Sequence, residues 1–423
     1  VSAENRNPPA AQIRNATPDP MQETILVLNS GSSSLKAGVF AQAPGVNFAD
    51  ERAQLSASVT GLGKGHGKLS VEESDGRPLT TEEHSFSAAD EALQAIARVL
   101  ATHGCKPAAL GHRLVHGGPH LREPVRLTQS VVAILQRSIH YAPLHLPASL
   151  RLIETAARLY PGTPQFACFD TAFHATMPPE ATRLPIPEEF AAEGVQRYGF
   201  HGLSYESLIA QLRFSGEPLP ERIICAHLGG GSSVCAILRG RSIDTTMGLT
   251  PTGGITMATR TGDLDPGVLL FLARAKGQSL DALESLVNTQ SGLTAICGTG
   301  DMQAIQAMRA ASKSQRLPSD AHNADLAFTV YTTGVAKAIA ALTVSLGGLD
   351  LLVFTGGIGE HSAEVRQSVL ASLAMFGIRH DEALNQRGAL RIDAPRSKVP
   401  IQVLPAEEDL RIAQHTRRLL KQT

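Results

Sequence analysis

Thr24-Ile25-Leu26-Val27-Leu28, Asn29-Ser30-Gly31-Ser32-Ser33-Ser34 and Leu35-Lys36-Ala37-Gly38-Val39-Phe40 follow one another without a break: an apolar run, a polar turn, a second apolar run. Aliphatic residues on either side of a Gly/Ser cluster predict two strands joined by a tight turn. The same sketch returns as Ile223-Ile224-Cys225-Ala226-His227-Leu228, Gly229-Gly230-Gly231-Ser232-Ser233 and Val234-Cys235-Ala236-Ile237-Leu238. Leu28, Gly31, Ser32 and Ser33 recur as Leu228, Gly231, Ser232 and Ser233, 200 positions later. Each hairpin opens a segment long enough for a domain, so the chain reads as two structurally related halves facing each other.

Between the hairpins, helical stretches alternate with short strands. Ala88–His103 spaces its Ala, Leu, Ile and Val at helical intervals before Gly104, and Leu326–Leu346 is an Ala-rich helical run followed by the apolar strand Leu349–Phe354. The fold class is therefore mixed α/β. We expect a flexible N-terminal extension over 1–21, where prolines and polar residues offer little to bury. An N-terminal α/β domain over 22–172 and a C-terminal α/β nucleotide-binding domain over 173–406 follow. Residues 407–423 form a closing helix that packs back on the first domain.

At 423 residues the chain is too long for one ordinary core, and 43% hydrophobic with 18% charged residues is a globular balance. With 38 Lys plus Arg against 39 Asp plus Glu there is no global field to hold nucleic acid or an anionic membrane. No apolar stretch approaches the ~20 residues of a membrane helix, and the N-terminus lacks the apolar core of a secretory signal. The five cysteines contain no C-x-x-C pair, which fits a reducing cytoplasm better than a disulfide framework or a cysteine metal site.

Three Gly-rich turns follow apolar strands: Asn29–Ser34, Gly229–Ser233 and Thr355–Glu360. Without a Cβ the backbone approaches phosphate closely, and three such turns suggest a nucleotide. No G-x-x-x-x-G-K-[ST] occurs, and the run Gly61–Gly67 fits neither phosphate-loop template, so it reads as a mobile loop. Arg113 and Arg260 both stand among glycines, and a guanidinium can fork two hydrogen bonds onto a carboxylate or phosphate there. Two such arginines imply two anionic groups, although an Arg paired with a structural Asp remains the competing reading for either one.

NSGSSSLK (29–36), GHRLVHGG (111–118), APLHLPAS (142–149), FDTAFHATMP (169–178), YGFHG (198–202), HLGGGSS (227–233), DTTMGLTP (244–251), TRTGDLDPG (259–267) and TGGIGEHS (355–362) stand in the order found in the acetate/propionate kinase family. The chain resembles that family from about residue 24 to its C-terminus. The resemblance implies the duplicated two-domain fold shared by acetate and sugar kinases, actin and heat-shock ATPases, with the active site in the interdomain cleft. It implies reversible phosphoryl transfer between ATP and acetate with Mg²⁺ (Mn²⁺ as a substitute), in a homodimer. By similarity, Asn29 and Glu408 would serve the metal, and Ser32, Ser34 and Lys36 the phosphates. Arg113 and His145 would hold the acyl carboxylate, while Arg113, Asp170, His201 and Arg260 form the catalytic group. His227, Leu228, Gly229, Gly230, Gly231, Asp301, Met302, Gln303, Gly357, Ile358, Gly359, Glu360 and His361 would hold the nucleotide.

Departures from the family pattern fall at Gly230, where Asn is usual, at Leu146 within HNP, at Gln303 in place of Arg, and at His361. They leave open the purine, the phosphoryl donor and the acyl length: propionate, another short-chain acid or pyrophosphate are the alternatives. A non-catalytic nucleotide-binding module of the actin or chaperone kind would need no Arg113 and Arg260.

Overall fold

The computed structural model describes residues 24–31, 34–41, 51–314 and 319–422, so the expectations for residues 1–21 and for Ser32 lie outside the described residues. Its strands are β1 (Thr24–Ser30), β2 (Ser34–Ala41), β3 (Leu55–Thr60), β4 (Gly67–Glu73), β5 (Pro78–His84), β6 (Ala109–Leu114), β7 (Val125–Arg126), β8 (Gln165–Phe169), β9 (Arg222–Leu228), β10 (Ser232–Leu238), β11 (Arg241–Thr245), β12 (Leu351–Thr355) and β13 (Ile401–Val403). They form two sheets, ordered β5-β4-β3-β2-β1-β6-β8-β7 and β11-β10-β9-β12-β13.

The duplication read from two hairpins extends across both sheets. Strands β3-β2-β1-β6-β8 match β11-β10-β9-β12-β13, and in both series the successive pairings are antiparallel, antiparallel, parallel and parallel. The two central strands are buried on both faces with period two. Ile25 and Val27 face one core and Leu26 and Leu28 another, and likewise Ile223 and Cys225 oppose Ile224, Ala226 and Leu228.

Helices fill both faces of each sheet. Ala89–Thr102 packs Leu93, Ile96 and Leu100 beneath the first, and Gly202–Phe214 packs Tyr205, Leu208 and Ile209 beneath the second. The helix Asn323–Leu346 is 24 residues long and apolar enough to cross a membrane by length and composition, a feature that counting uninterrupted apolar residues misses. In the fold, its Phe328, Tyr331, Val335, Ile339 and Leu342 sit in the second core. Gly61–Gly67, read as a loop, connects two strands. It makes the turn of the β3–β4 hairpin, closed by Lys64 N–H donating to the Gly61 carbonyl.

The closing helix Glu408–Leu420 crosses onto the first sheet, where Ile412 and Ala413 join Ile25, Val27 and Phe166. Its buried Arg417 forks onto the buried Glu51 at 2.6 and 3.0 Å. Close approach is possible because β6 presents Gly111, where a Cβ would stand 2.3 Å from Thr416 Oγ1 and 2.7 Å from Ile412 Cγ2. Gly111→Ala should therefore push the helix outward and destabilise by ~1–3 kcal/mol. A thermal melt identical to the parent's would show that the helix seats otherwise.

Candidate active site

The parallel strands β1, β6 and β8 end together and carry Asn29, Arg113 and Asp170 to one place, the usual position of a ligand crevice in α/β sheets. Arg113 Nε and Nη2 fork onto the two Asp170 oxygens at 3.0 and 2.6 Å, and Nη1 donates to Asn29 Oδ1 at 3.2 Å. Asn29 Nδ2 in turn donates to Asp409 Oδ1 at 2.8 Å and reaches Glu408 Oε2 at 3.4 Å. Glu408 lies 3.8 Å from Arg113 Nε. The first turn of the closing helix is thereby tied to the end of β1.

This network bears on two expectations. Asp170 takes the Nε/Nη2 edge of Arg113 and Asn29 one Nη1 hydrogen, which leaves one N–H each on Nη1 and Nη2 for a substrate anion. The Asn29 oxygen faces Arg113, which makes Asn29 a link between the arginine and the acidic pair. Asp409, which the sequence reading passed over, makes the shorter of the two contacts to Asn29. The visible signal for it was the acidic run Glu407-Glu408-Asp409 at a helix start.

Burial dominates the electrostatics. It pulls the Arg113 guanidinium down, but the carboxylates of Asp170, Glu408 and Asp409 outweigh it and hold the group charged. Asp170 is 1% exposed, and burial raises its carboxyl above the ordinary range against the pull of Arg113. Burial and the neighbouring Glu408 also raise Asp409. Glu408 goes the other way, lowered despite burial by Arg113, His227 and Asn29. Lys36, cross-strand from Asn29, is exposed and adds positive field at both acids, while Ser34 lies half-buried at the turn.

The opposite wall is built around His201, which stands at φ +58° just before the helix Gly202–Phe214. Left-handed backbone costs a non-glycine residue about 1–2 kcal/mol. Two contacts hold it there: Gly202 N–H donates to the Asp170 carbonyl at 2.9 Å, and buried His174 Nε2–H donates to the Phe200 carbonyl at 2.9 Å. His174, part of a recognised motif, is thus a strut. The His201 ring stacks on His227 with centroids 4.2 Å apart.

Gly231 opens a space between the two walls. A Cβ there would lie 3.4 Å from His201 Nε2 and 3.5 Å from Arg260 Nη1, so both groups converge where no side chain stands. Arg260 is half-buried, and Nη1 donates to the Pro251 carbonyl at 3.2 Å. Among the described residues it has no carboxylate within ion-pair distance. Burial and the charge of Arg113 both lower its pKa, the signature of a cation lacking its anion. His145, which precedes the helix Leu146–Leu159, is pushed down to about 4 by burial and then by Arg260 and Arg113, and so is neutral at pH 7.

The nucleotide expectations divide between backbone and side chain. Because β9 and β12 are adjacent and parallel, with Thr355 opposite His227, the Gly229–Gly231 turn and the helix Gly356–His361 emerge side by side. Ala258 N–H donates to the Gly230 carbonyl, and a Cβ on Gly300 would meet Ala258, which brings the Asp301–Gln303 segment to the same edge. Gly230, Gly357, Asp301, Gln303 and His361 are exposed there. Leu228 and Met302, however, put their side chains in the core, and Ile358 packs against it. The Glu360 carboxylate accepts from Gly356 N–H at 2.9 Å and Ala406 N–H at 3.2 Å, so it braces the turn. At Leu228 and Met302 only the backbone is left for a ligand. Gly229 N–H is occupied by Ser232 Oγ at 3.2 Å, and Gly359 is buried beneath the turn.

A family model described as the acetokinase family matches residues 24–414. An acetate kinase of Rhodopseudomonas palustris is 40% identical over 411 residues, spanning 94% of this chain and 99% of that protein. One of Streptomyces avermitilis is also 40% identical, over 93% and 96%. Among solved structures, a propionate kinase from Francisella tularensis superposes with a TM-score of 0.84 at 32% identity, covering 94% of this chain and all of that one. Porphyromonas gingivalis acetate kinase does so with a TM-score of 0.80 at 34%, with the same coverage. The fold and its two-walled cleft are those of a phosphotransferase acting on a carboxyl group. The chain belongs to the acetokinase family.

Proposed function

We propose that the protein is an acetate kinase, moving the terminal phosphoryl group of ATP reversibly to acetate. The observation that carries this reading is Arg260: a half-buried guanidinium with no carboxylate partner among the described residues, converging with His201 on the space beside Gly231. A carboxylic acid has a pKa of roughly 4–5, so acetate is already an anion at pH 7 and needs no general base. A carboxylate oxygen attacks the terminal phosphorus in line, the new O–P bond forms, the bond to the bridging oxygen breaks, and ADP leaves with that electron pair. Because the transition state spreads charge over the equatorial oxygens, catalysis rests on positioning and a preorganised positive field.

Arg260 and the His201 ring nitrogen supply that field on one side. Arg113, held by Asp170 and Asn29, supplies it on the other while steering the incoming carboxylate, with neutral His145 as a further polar contact. Asp170 thus orients Arg113 and has no proton to take. Glu408 and Asp409, with Asn29 between them, offer hard oxygen donors in a crowded acidic pair, which fits Mg²⁺ or Mn²⁺. Such an ion, when bound, would neutralise phosphate charge. The glycine turns and the Asp301 segment take the adenine nucleotide. Exposed Leu270, Phe271 and Leu280 on the helices Pro266–Lys276 and Leu280–Thr289 support a homodimer, and five free thiols fit the cytoplasm.

The test is an assay of ADP release with acetate, propionate and butyrate against ATP, GTP and pyrophosphate, with hydroxylamine trapping of the acyl phosphate. ATP with acetate should give the largest kcat/KM. Failure to trap an acyl phosphate from any of the acids would overturn the reading, and preference for propionate would reassign the acyl chain alone.

A further inference from the structure

Beneath His201 lies a buried chain of hydroxyls that phosphoryl transfer does not itself require. His201 Nδ1 is 2.8 Å from Ser233 Oγ, and Ser233 Oγ is 2.5 Å from Tyr205 Oη. Ser233 and Tyr205 are both 0% exposed, so neither hydroxyl is open to bulk solvent. Tyr205 lies one helical turn after His201, with its N–H bonded to the His201 carbonyl at 3.1 Å, while Ser233 is on β10, opposite His227. The start of the helix Gly202–Phe214 and β10 therefore meet at one oxygen.

The direction of the protons follows from satisfaction of buried groups. Among the described residues Ser233 Oγ is the hydrogen-bond partner of the buried Tyr205 hydroxyl, so the phenol sends its proton there. Ser233 Oγ is the side-chain acceptor beside it. Having accepted from Tyr205, Ser233 has one proton to donate, and His201 Nδ1 is its other neighbour. Nδ1 is therefore an acceptor, and in a neutral ring the proton sits on Nε2, the nitrogen beside Gly231 and Arg260.

We infer that Tyr205 and Ser233 are positioning residues whose hydroxyl relay locks His201 as the neutral Nε2–H tautomer, presenting a hydrogen-bond donor to the phosphoryl group in transfer. The relay rests on the acyl-kinase reading for its consequence but not for its existence. It also opposes a second ring proton, because a protonated Nδ1 would leave the Ser233 hydroxyl hydrogen without an acceptor. The surrounding charges act in the same sense: burial first, then His227, Arg113, Arg260 and His174 hold the ring well below the usual histidine range. A neutral donor at this point suits a reversible reaction. It contacts the terminal phosphoryl group of ATP or that of an acyl phosphate alike without giving up its proton to either.

The relay can be read directly from the ¹⁵N shifts of His201 in histidine-labelled full-length protein between pH 6 and 8. The parent should show Nε2 protonated and Nδ1 bare throughout. Ser233→Ala should move population to the Nδ1–H form and lower kcat by about 10-fold or more, short of the cost of losing the donor outright, with KM for acetate changed less than about twofold. Ser233→Thr, which keeps the hydroxyl, should restore both. Tyr205→Phe, which keeps the ring, should shift the tautomer in the same direction and serves if Ser233→Ala does not fold. A protonated Nδ1 in the parent, or an unmoved tautomer in both variants, would overturn the inference. A shifted tautomer with unchanged kcat would leave the relay standing and remove His201 from the phosphoryl contact.

Discussion

Arg260→Ala should lower kcat by about 10²–10³-fold while the protein stays folded. The asymmetry follows from the pairing of the two cleft arginines. Arg260 has no carboxylate within ion-pair distance among the described residues, so removing it leaves no buried negative charge stranded. Burial and Arg113 already disfavour its charge, which means the ground state bears a cost that only an incoming anion offsets. That differential is what transition-state stabilisation requires. On the proposed reading Arg260 meets the phosphoryl group in transfer, so KM for acetate should move less than kcat. Arg260→Lys should restore little, since one point charge cannot replace the fork. A variant within tenfold of the parent in kcat and with its melting temperature would remove Arg260 from the reaction.

The architecture was legible because it is written twice in the backbone pattern. The alternation of Ile25-Leu26-Val27-Leu28 and Ile223-Ile224-Cys225-Ala226 around Gly/Ser turns specifies doubly buried central strands, and a repeat of such strands specifies two like sheets. Strands β3–β5, at one end of the first sheet, were harder to see: their exposed faces carry Ser, Thr, Glu and His, and a Gly-rich hairpin turn looks like a loop in one dimension. The site residues were legible as members of motifs, but a motif does not say which atoms of a residue face the ligand. Leu228, Met302 and Glu360 sit in such motifs and spend their side chains on the core or on bracing a turn. Pairings across the chain were equally hidden. Nothing local announces that Arg113 would meet a carboxylate 57 residues away, or that Asn29 would bridge it to Asp409.

That hidden pairing sets the expectation for Arg113→Ala, which should destabilise the protein as well as disable it. Asp170 is 1% exposed and both its oxygens accept from the guanidinium, so truncating Arg113 leaves an uncompensated buried charge. Breaking one side of a buried pair costs about 3–5 kcal/mol. Asn29 Oδ1 loses its donor in the same step. The pH dependence has a definite sign. With Arg113 gone, burial and then the charge of Glu408 act unopposed on Asp170 and raise its pKa further above the unfolded value, so the folded state takes up a proton the unfolded chain does not hold. Stability relative to the parent should therefore recover as pH falls below the raised pKa and be lost again as pH rises through it. Asp170→Asn in the Arg113→Ala background removes the charge, and should regain much of the stability at pH 7 without regaining turnover. Urea unfolding of the parent, the single variant and the double variant at pH 5 and pH 8 measures both effects. Equal stability of single and double variants at pH 8 would mean that Asp170 does not carry a buried charge, and that Arg113 is held in place by something other than this pair.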